Sequence, residues 1–331
     1  MEIGKVSETV LKRSILKQFQ HRRKEVLVGP GVGEDCSVLE LDKDEVFVIS
    51  TDPITGTREN IGTLAVHITA NDISSNGAEI VGIMLSVLLP EGTKETELKE
   101  IIKEVEAVCS KLNIEVMGGH TEITTAVNQP VITVTGIGKM PKEAMIKTAG
   151  ATAGQEIVMT KWAGLEGTAI LAKEKEKELL AKYNEDFING AKQFIEHISV
   201  VKEAKIAREI GVTSMHDVTE GGLFGALWEL AEASKLGLEV DIRKINLRQE
   251  TVEICEFYNL NPYQLISSGV MLMVTNKANA LVNELNKNGI AASVIGRITE
   301  GKDRIIINDD EKRYLEPPKS DELYKVPVVY K

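Results

Sequence analysis

Aromatic residues are scarce in this chain, at 4% of 331 residues, so any core must be built from Ile, Val, Leu and Ala. Cysteine occurs only at Cys36, Cys109 and Cys255, and no C-x-x-C pair is present. That spacing supports neither a zinc site nor a disulfide framework. Positive charge is also lacking. A net charge of −11 leaves no basic footprint for non-specific nucleic-acid binding. Nucleotides are not excluded, because a divalent cation can stand between carboxylates and phosphates. No run approaches ~18 consecutive apolar residues, and the amino terminus, M-E-I-G-K-V-S-E-T-V, has no signal-peptide core. The expectation is a cytoplasmic protein without membrane or nucleic-acid partners. Several familiar signatures are missing as well: the GxxxxGK[ST] loop, G-x-G-x-x-G, G-x-S-x-G, H-E-x-x-H and the kinase set.

What is present is an ordinary globular composition, long enough for two domains. Small residues crowd M-I-K-T-A-G-A-T-A-G-Q at 145–155, and the boundary is placed there, giving domains 1–146 and 147–331. The first domain interleaves strand-like and helix-like runs, as in a mixed α/β fold. Strands are expected at 36–41, 46–50, 80–89, 114–117 and 131–139, and helices at 7–19, 61–77 and 93–112. The second domain repeats the mixture, with a partly ordered tail from Pro317.

The first chemically suggestive stretch is G-P-G-V-G-E-D-C-S-V-L at 29–39. Gly31 and Gly33 let backbone approach a phosphate, and Glu34-Asp35 supply hard oxygen ligands suited to Mg²⁺. A plain turn with solvated acids accounts for the same letters. Cys36 reads either as a reactive thiol or as a small buried hydrophobe. The basic run His21–Lys24 reads as a solvated linker or a phosphate contact.

Asp52 stands at the expected exit of the 46–50 strand, where ligand groups and ordinary turns both occur. Asn71 and Asp72 sit inside a helical pattern that they suit poorly. If that helix is buried, Asp72 needs a partner, and a metal is one candidate. Gly118, Gly119, His120, Thr121 and Glu122 follow a strand as a polar loop. Lys161, ahead of Gly164 and Gly167, is either an anion contact or a solvated lysine. Asp217 and Glu220, in the loop M-H-D-V-T-E-G-G-L, stand near a helix start, where simple capping is the competing account.

Taken in order, G-V-G-E-D-C-S-V, S-T-D-P-I, A-N-D-I-S-S-N-G-A, G-G-H-T-E and M-H-D-V-T-E-G-G-L resemble one family. It is the PurM-like ATP-dependent superfamily of aminoimidazole ribonucleotide synthetase, thiamine-monophosphate kinase, selenophosphate synthetase and the hydrogenase-maturation protein HypE. The resemblance runs from about residue 29 to about residue 300 and looks nearest to HypE. It implies a two-domain α/β fold whose amino-terminal domains form a homodimer through a barrel-like sheet.

ATP and Mg²⁺ are the implied cofactors, with Asp35, Asp52 and Asp72 as metal ligands. Gly31, Gly33, Asp52, Asn71, Gly118, Gly119, Thr121 and Lys161 would form the nucleotide site. Asp217, Glu220 and His120 would be the catalytic set. The implied chemistry moves the γ-phosphate of ATP to an amide, carbamoyl or carbonyl oxygen of a small-molecule or protein-borne acceptor. A small-molecule kinase and a nucleotide-binding partner protein are the alternatives. Two departures matter. Glu34-Asp35 replaces the paired aspartates of many relatives, and the final residues V-P-V-V-Y-K lack the cysteine on which HypE carries its carbamoyl group. A HypE-like paralogue acting on a separate substrate is therefore expected.

Overall fold

A computed structural model describes residues 4–5, 10–28, 38–39, 42–55, 57–317 and 320–326. The chain divides into two compact units: residues 1–73 with 78–145, and residues 74–77 with 146–331.

The first unit is an open five-stranded sheet with helices on one face. Its strands are β1 (Gly4–Lys5), β4 (Glu45–Ile54), β5 (Glu79–Pro90), β6 (Glu115–Thr124) and β7 (Val131–Pro141), ordered β1-β6-β5-β7-β4. A separate short ribbon pairs β2 (Val26–Val28) with β3 (Val38–Leu39). Strands β5 and β6 run parallel and are joined through helix α2 (Glu95–Leu112), a crossover unit, whereas β4, β7 and β5 pair antiparallel. Helix α2 forms because Leu98, Ile101, Ile102, Val105, Val108 and Cys109 recur at helical spacing and are all buried. Asn113 ends it in the left-handed conformation, φ 61°.

Helix α1 (Ile61–Ser75) lies directly on the sheet. Two glycines on β7 permit that approach. A Cβ on Gly136 would stand 2.6 Å from Thr69 Cγ2, and one on Gly138 would stand 2.4 Å from Ile73 Cγ2. The sheet's alternation separates Val134, Leu85 and Val87, buried beneath the helices, from Phe47, Ile49, Thr51 and Thr135 on the open face.

Two expected loops are strands instead. The segment G-G-H-T-E continues β6 to Thr124, and β4 runs through Thr51-Asp52-Pro53 to Ile54. Pro53 is tolerated because β4 is an edge strand. Within the basic run, Arg22 and Lys24 are exposed as expected of a solvated linker, but Arg23 is not. Arg23 is buried, bonds Glu25 through two nitrogens and Glu79 through one, and its guanidinium holds the Glu25 carboxyl down at about 2.

The second unit carries a seven-stranded sheet ordered β14-β13-β10-β12-β8-β11-β9. The strands are β8 (Glu156–Thr160), β9 (Ser214–Val218), β10 (Gly237–Asp241), β11 (Val270–Thr275), β12 (Ala292–Thr299), β13 (Arg304–Asn308) and β14 (Glu311–Tyr314). Every residue of β11 is buried, which accounts for its unbroken apolar run V-M-L-M-V. Its longer helices are α3 (Leu165–Glu174), α4 (Glu185–Lys192), α5 (Val201–Ile210), α6 (Gly222–Ser234), α7 (Gln249–Tyr258) and α8 (Ala278–Lys287). Helices α5 and α8 pack on Val158, Met215, Met271 and Met273, while α3, α4 and α7 enclose a second cluster that takes in Leu323 and Val326. Leu323 and Val326 of the expected tail thus belong to the core. Among the described residues, no helix is long and apolar enough to cross a membrane.

Candidate functional site

In the first unit the fold brings Asp52 and Asp72 together. Asp52 is on edge strand β4 and Asp72 on α1, both half-buried, and both approach a single hydroxyl. Ser50 Oγ lies 3.2 Å from Asp52 Oδ2 and also contacts Asp72 Oδ2. Ser50 and Asp52 share a sheet face because they are two apart on a strand. Ser50 pairs with Gly136, one of the two glycines over which α1 settles, so the helix can deliver Asp72 to the strand. Asn71, beside it, is buried.

The donor chemistry suits a hard divalent cation, since all three groups are oxygens. Among the described residues no group of three His, Cys, Asp or Glu side chains has metal-holding geometry. The described set is two carboxylates and a hydroxyl. Asp35, the third expected carboxylate, lies outside the described residues, as do Gly31 and Gly33.

Gly118 and Gly119 are partly or fully exposed on β6, three strands away from β4. Register ties them to the same place on the sheet. Asp52 pairs with Val134, Val134 with Leu85, and Leu85 with Gly119, forming one transverse row. Three strand spacings separate its ends, about 14 Å, so Gly119 cannot share an ion with Asp52. Gly119 cannot carry a side chain: its φ is +152° and a Cβ would meet Leu85 O at 2.0 Å. His120 is exposed, with Nε2 3.1 Å from Glu122 Oε2. Thr121 turns to the buried side.

In the second unit, Asp217 lies on β9, paired with Met271 and buried, not in a loop. Glu220 is exposed ahead of Gly221 and Gly222, which have φ of 84° and 63°. A Cβ on Gly222 would meet Leu265 O at 2.7 Å, so glycine is needed at 222 for the 263–265 backbone to pass.

Lys161 requires a correction as a phosphate contact. Its ammonium is buried, ion-paired to Glu203 Oε1 at 2.5 Å, and donates to Ser199 O at 2.6 Å and Gly269 O at 3.0 Å. Two hydrogen bonds and an ion pair engage the ammonium inside the unit.

Two residues escaped the sequence reading. Ser50 would have been found by extending the strand two residues to Asp52. Glu166, in the first turn of α3, had no signal at all. It is fully buried, and burial pushes its carboxyl up to about 7. The Asp321 carboxylate adds to the rise, while Ser268 is close enough to pull the value part-way down. Even so, neither Glu166 Oε2 nor Ser268 Oγ completes a hydrogen bond. Asp321 itself is buried and accepts from Gly221 N at 2.7 Å, Leu323 N at 2.8 Å and Ile266 N at 3.2 Å. It ties the 320–326 segment to the paired glycines.

The family model for the AIR synthase related protein amino-terminal domain matches residues 33–140, and that for the carboxy-terminal domain matches residues 152–308. The chain belongs to the AIR synthase related family. Within it, the chain is similar to a hydrogenase expression/formation protein of Methanocaldococcus jannaschii, at 28% identity over 98% of this chain and 97% of that protein. It is also similar to the carbamoyl dehydratase HypE of Rhizobium leguminosarum bv. viciae, at 26% identity over 76% of this chain and 71% of that protein. Among solved structures, the hydrogenase maturation protein HypE in complex with ATP superposes with a TM-score of 0.78. Its identity is 20%, covering 97% of both chains. The two-domain PurM-like fold is therefore the fold of this chain.

Proposed function

We propose that this protein is a Mg²⁺-dependent enzyme that uses ATP to activate an amide, carbamoyl or related carbonyl oxygen. The observation that carries the proposal is the convergence of Asp52 and Asp72 on one hydroxyl, in a chain whose two domains both match the AIR synthase related family. Its similarity to a carbamoyl dehydratase, HypE, supports the same class of chemistry. Bound Mg-ATP would supply the phosphoryl group and neutralise the charge that develops during its transfer. The chain's own part is to hold and orient. Asp52 and Asp72 carry the cation, with Asp35 assigned to complete the set. The exposed backbone at Gly118 and Gly119, together with Asn71 and Thr121, is assigned to the nucleotide. Asp217 and Glu220 are assigned to the acceptor end, and His120 is the candidate proton carrier.

The acceptor is best carried by another molecule. Cys109 and Cys255 are free but buried, and burial pushes the Cys255 thiol up to about 12 and that of Cys109 higher still. Neither thiol can act as an acyl carrier where it stands. Free thiols also agree with a reducing, cytoplasmic home. A homodimer is supported by the open face of the first sheet. Phe47 and Ile49 are 46% and 64% exposed there, on the side away from the helices.

The test is binding of a non-hydrolysable ATP analogue with and without Mg²⁺, in the wild type and in Asp72→Asn and Asp52→Asn. Each substitution should weaken Mg²⁺-dependent binding at least ~10-fold. ADP release should then be followed with carbamoyl and amide acceptors. Wild-type protein that binds the analogue no better with Mg²⁺ than without would overturn the proposal.

A further inference from the structure

We infer that Glu166, Ser268 and Asp321 form a proton-sensitive latch that holds residues 320–326 over the paired-glycine turn at the start of α6. The latch lies wholly in the second unit and does not depend on the proposed Mg-nucleotide site. Two carboxylates dock the segment. Asp321 accepts from Gly221 N at 2.7 Å and Ile266 N at 3.2 Å, and Glu322 accepts from Asn261 N at 2.9 Å. Lys325 Nζ, 2.6 Å away, offsets the Glu322 charge. Among the described residues, Asp321 is met by backbone N–H groups alone. Leu323 and Val326 add apolar burial. A cavity of about 410 Å³ remains at this contact, lined by Gly221, Phe224 and Gln264 from the body of the unit and by Ser320 and Lys325 from the segment.

The docked segment lies against a carboxyl that cannot ionise freely. Glu166, in the first turn of α3, is buried, and its Oε2 completes no hydrogen bond, nor does the buried Ser268 Oγ near it. The groups that face Glu166 are Ser268, from the loop ahead of β11, and Asp321, from the segment. Tyr324 of the segment also feels Glu166, and Glu220 acts on Asp321 and Tyr324 from the glycine turn. Two carboxyls thus share one buried corner with a third at its rim, and none of the facing groups is a cation. Ionised together, the buried two repel, and neither has the water that would stabilise it. Three backbone N–H groups favour charge on Asp321, whereas burial keeps the proton on Glu166 up to about pH 7. Once Glu166 loses that proton, undocking the segment relieves the repulsion and bares Gly221 N and the first turn of α6. A filler at 166 would be apolar; a carboxyl with an unfilled hydrogen-bonding position makes docking depend on a proton.

The test is hydrogen exchange on the full chain between pH 5 and pH 8, with each amide's rate corrected for its intrinsic pH dependence. The amides to follow are the three that donate to Asp321, those of Gly221, Ile266 and Leu323, against those of β11 in the same unit. In the wild type the latch amides should be less protected than β11 at every pH. Their protection should fall by up to about tenfold per pH unit as far as pH 7 and then level off, because the closed state holds a proton that the open state releases. Glu166→Gln should keep the segment docked and remove the slope. Ser268→Ala removes a group that pulls the Glu166 carboxyl down, so the levelling-off should move to higher pH. Latch amides that exchange only as slowly as β11 would show that the segment does not open by itself, and would overturn the inference. So would wild-type protection independent of pH, or an unchanged slope in Glu166→Gln. Should the glutamine variant not fold, an unmoved levelling-off in Ser268→Ala overturns the latch on its own.

Discussion

Glu166→Gln is the substitution whose consequence is most fully determined by the structure. The folded carboxyl titrates at about 7 against 4.5 for the free group, chiefly because it is fully buried. The difference of ~2.5 units corresponds to ~3 kcal/mol, at about 1.4 kcal/mol per unit. The sign follows from linkage. Below pH 4.5 the carboxyl is protonated in both states and adds no pH dependence. Between 4.5 and 7 only the folded state keeps the proton, so stability falls as pH rises. Above 7 the full ~3 kcal/mol has been lost. Glutamine, a neutral stand-in for the protonated acid, removes this dependence.

The stability of Glu166→Gln relative to wild type should therefore rise by ~3 kcal/mol between pH 4 and pH 8. In melting temperature that is ~6–12 °C for a unit of this size. Denaturant unfolding read by tryptophan fluorescence suits the purpose, because both tryptophans, Trp162 and Trp228, belong to the second unit. Taking the difference between variant and wild type cancels the other titrating carboxylates. A difference that stays flat from pH 4 to pH 8 would refute the buried, proton-loaded state of Glu166.

Two further outcomes test the reassignments made above. Glu203→Gln leaves the Lys161 ammonium buried without its carboxylate and should cost ~3–5 kcal/mol, seen as a lower melting temperature. It should leave the nucleotide affinity of the folded protein unchanged, and Lys161→Met should likewise leave that affinity unchanged; weaker nucleotide binding by Lys161→Met at unaltered stability would return the lysine to the phosphates. Ile49→Lys places a charge on the open apolar face of the first sheet. Sedimentation should show a dimeric wild type and a monomeric variant, and identical sedimentation of the two would exclude this face as the contact.

How much was legible depends on the range of the forces involved. Periodicity is local, so helices such as 95–112 and buried strands such as 270–275 were readable to within a few residues. Errors fell where polar or glycine-rich letters occupy a regular element. G-G-H-T-E is strand because parallel pairing with β5 supplies its hydrogen bonds, and no local preference announces that. Asp52 lies inside β4 because its ladder with β7 runs on past Ser50 to Ile54. Lys161 looked like an anion contact beside two glycines, and only the chain passing at Ser199, Glu203 and Gly269 shows that its charge is already met.

The sequence by itself determined the family, through five short motifs in a fixed order, and with it the two-domain α/β fold. It also determined the stock of carboxylates from which a cation site can be made. Tertiary structure decided which of them meet. Asp52 and Asp72 are twenty residues apart and become neighbours because Gly136 and Gly138 let a helix settle onto β7, beside the edge strand that carries Asp52. Glu166 acquires its raised carboxyl from burial and from the Asp321 carboxylate, over a hundred positions away, against the opposing pull of Ser268. Such meetings depend on desolvation and close packing between distant segments, quantities that a linear pattern does not contain.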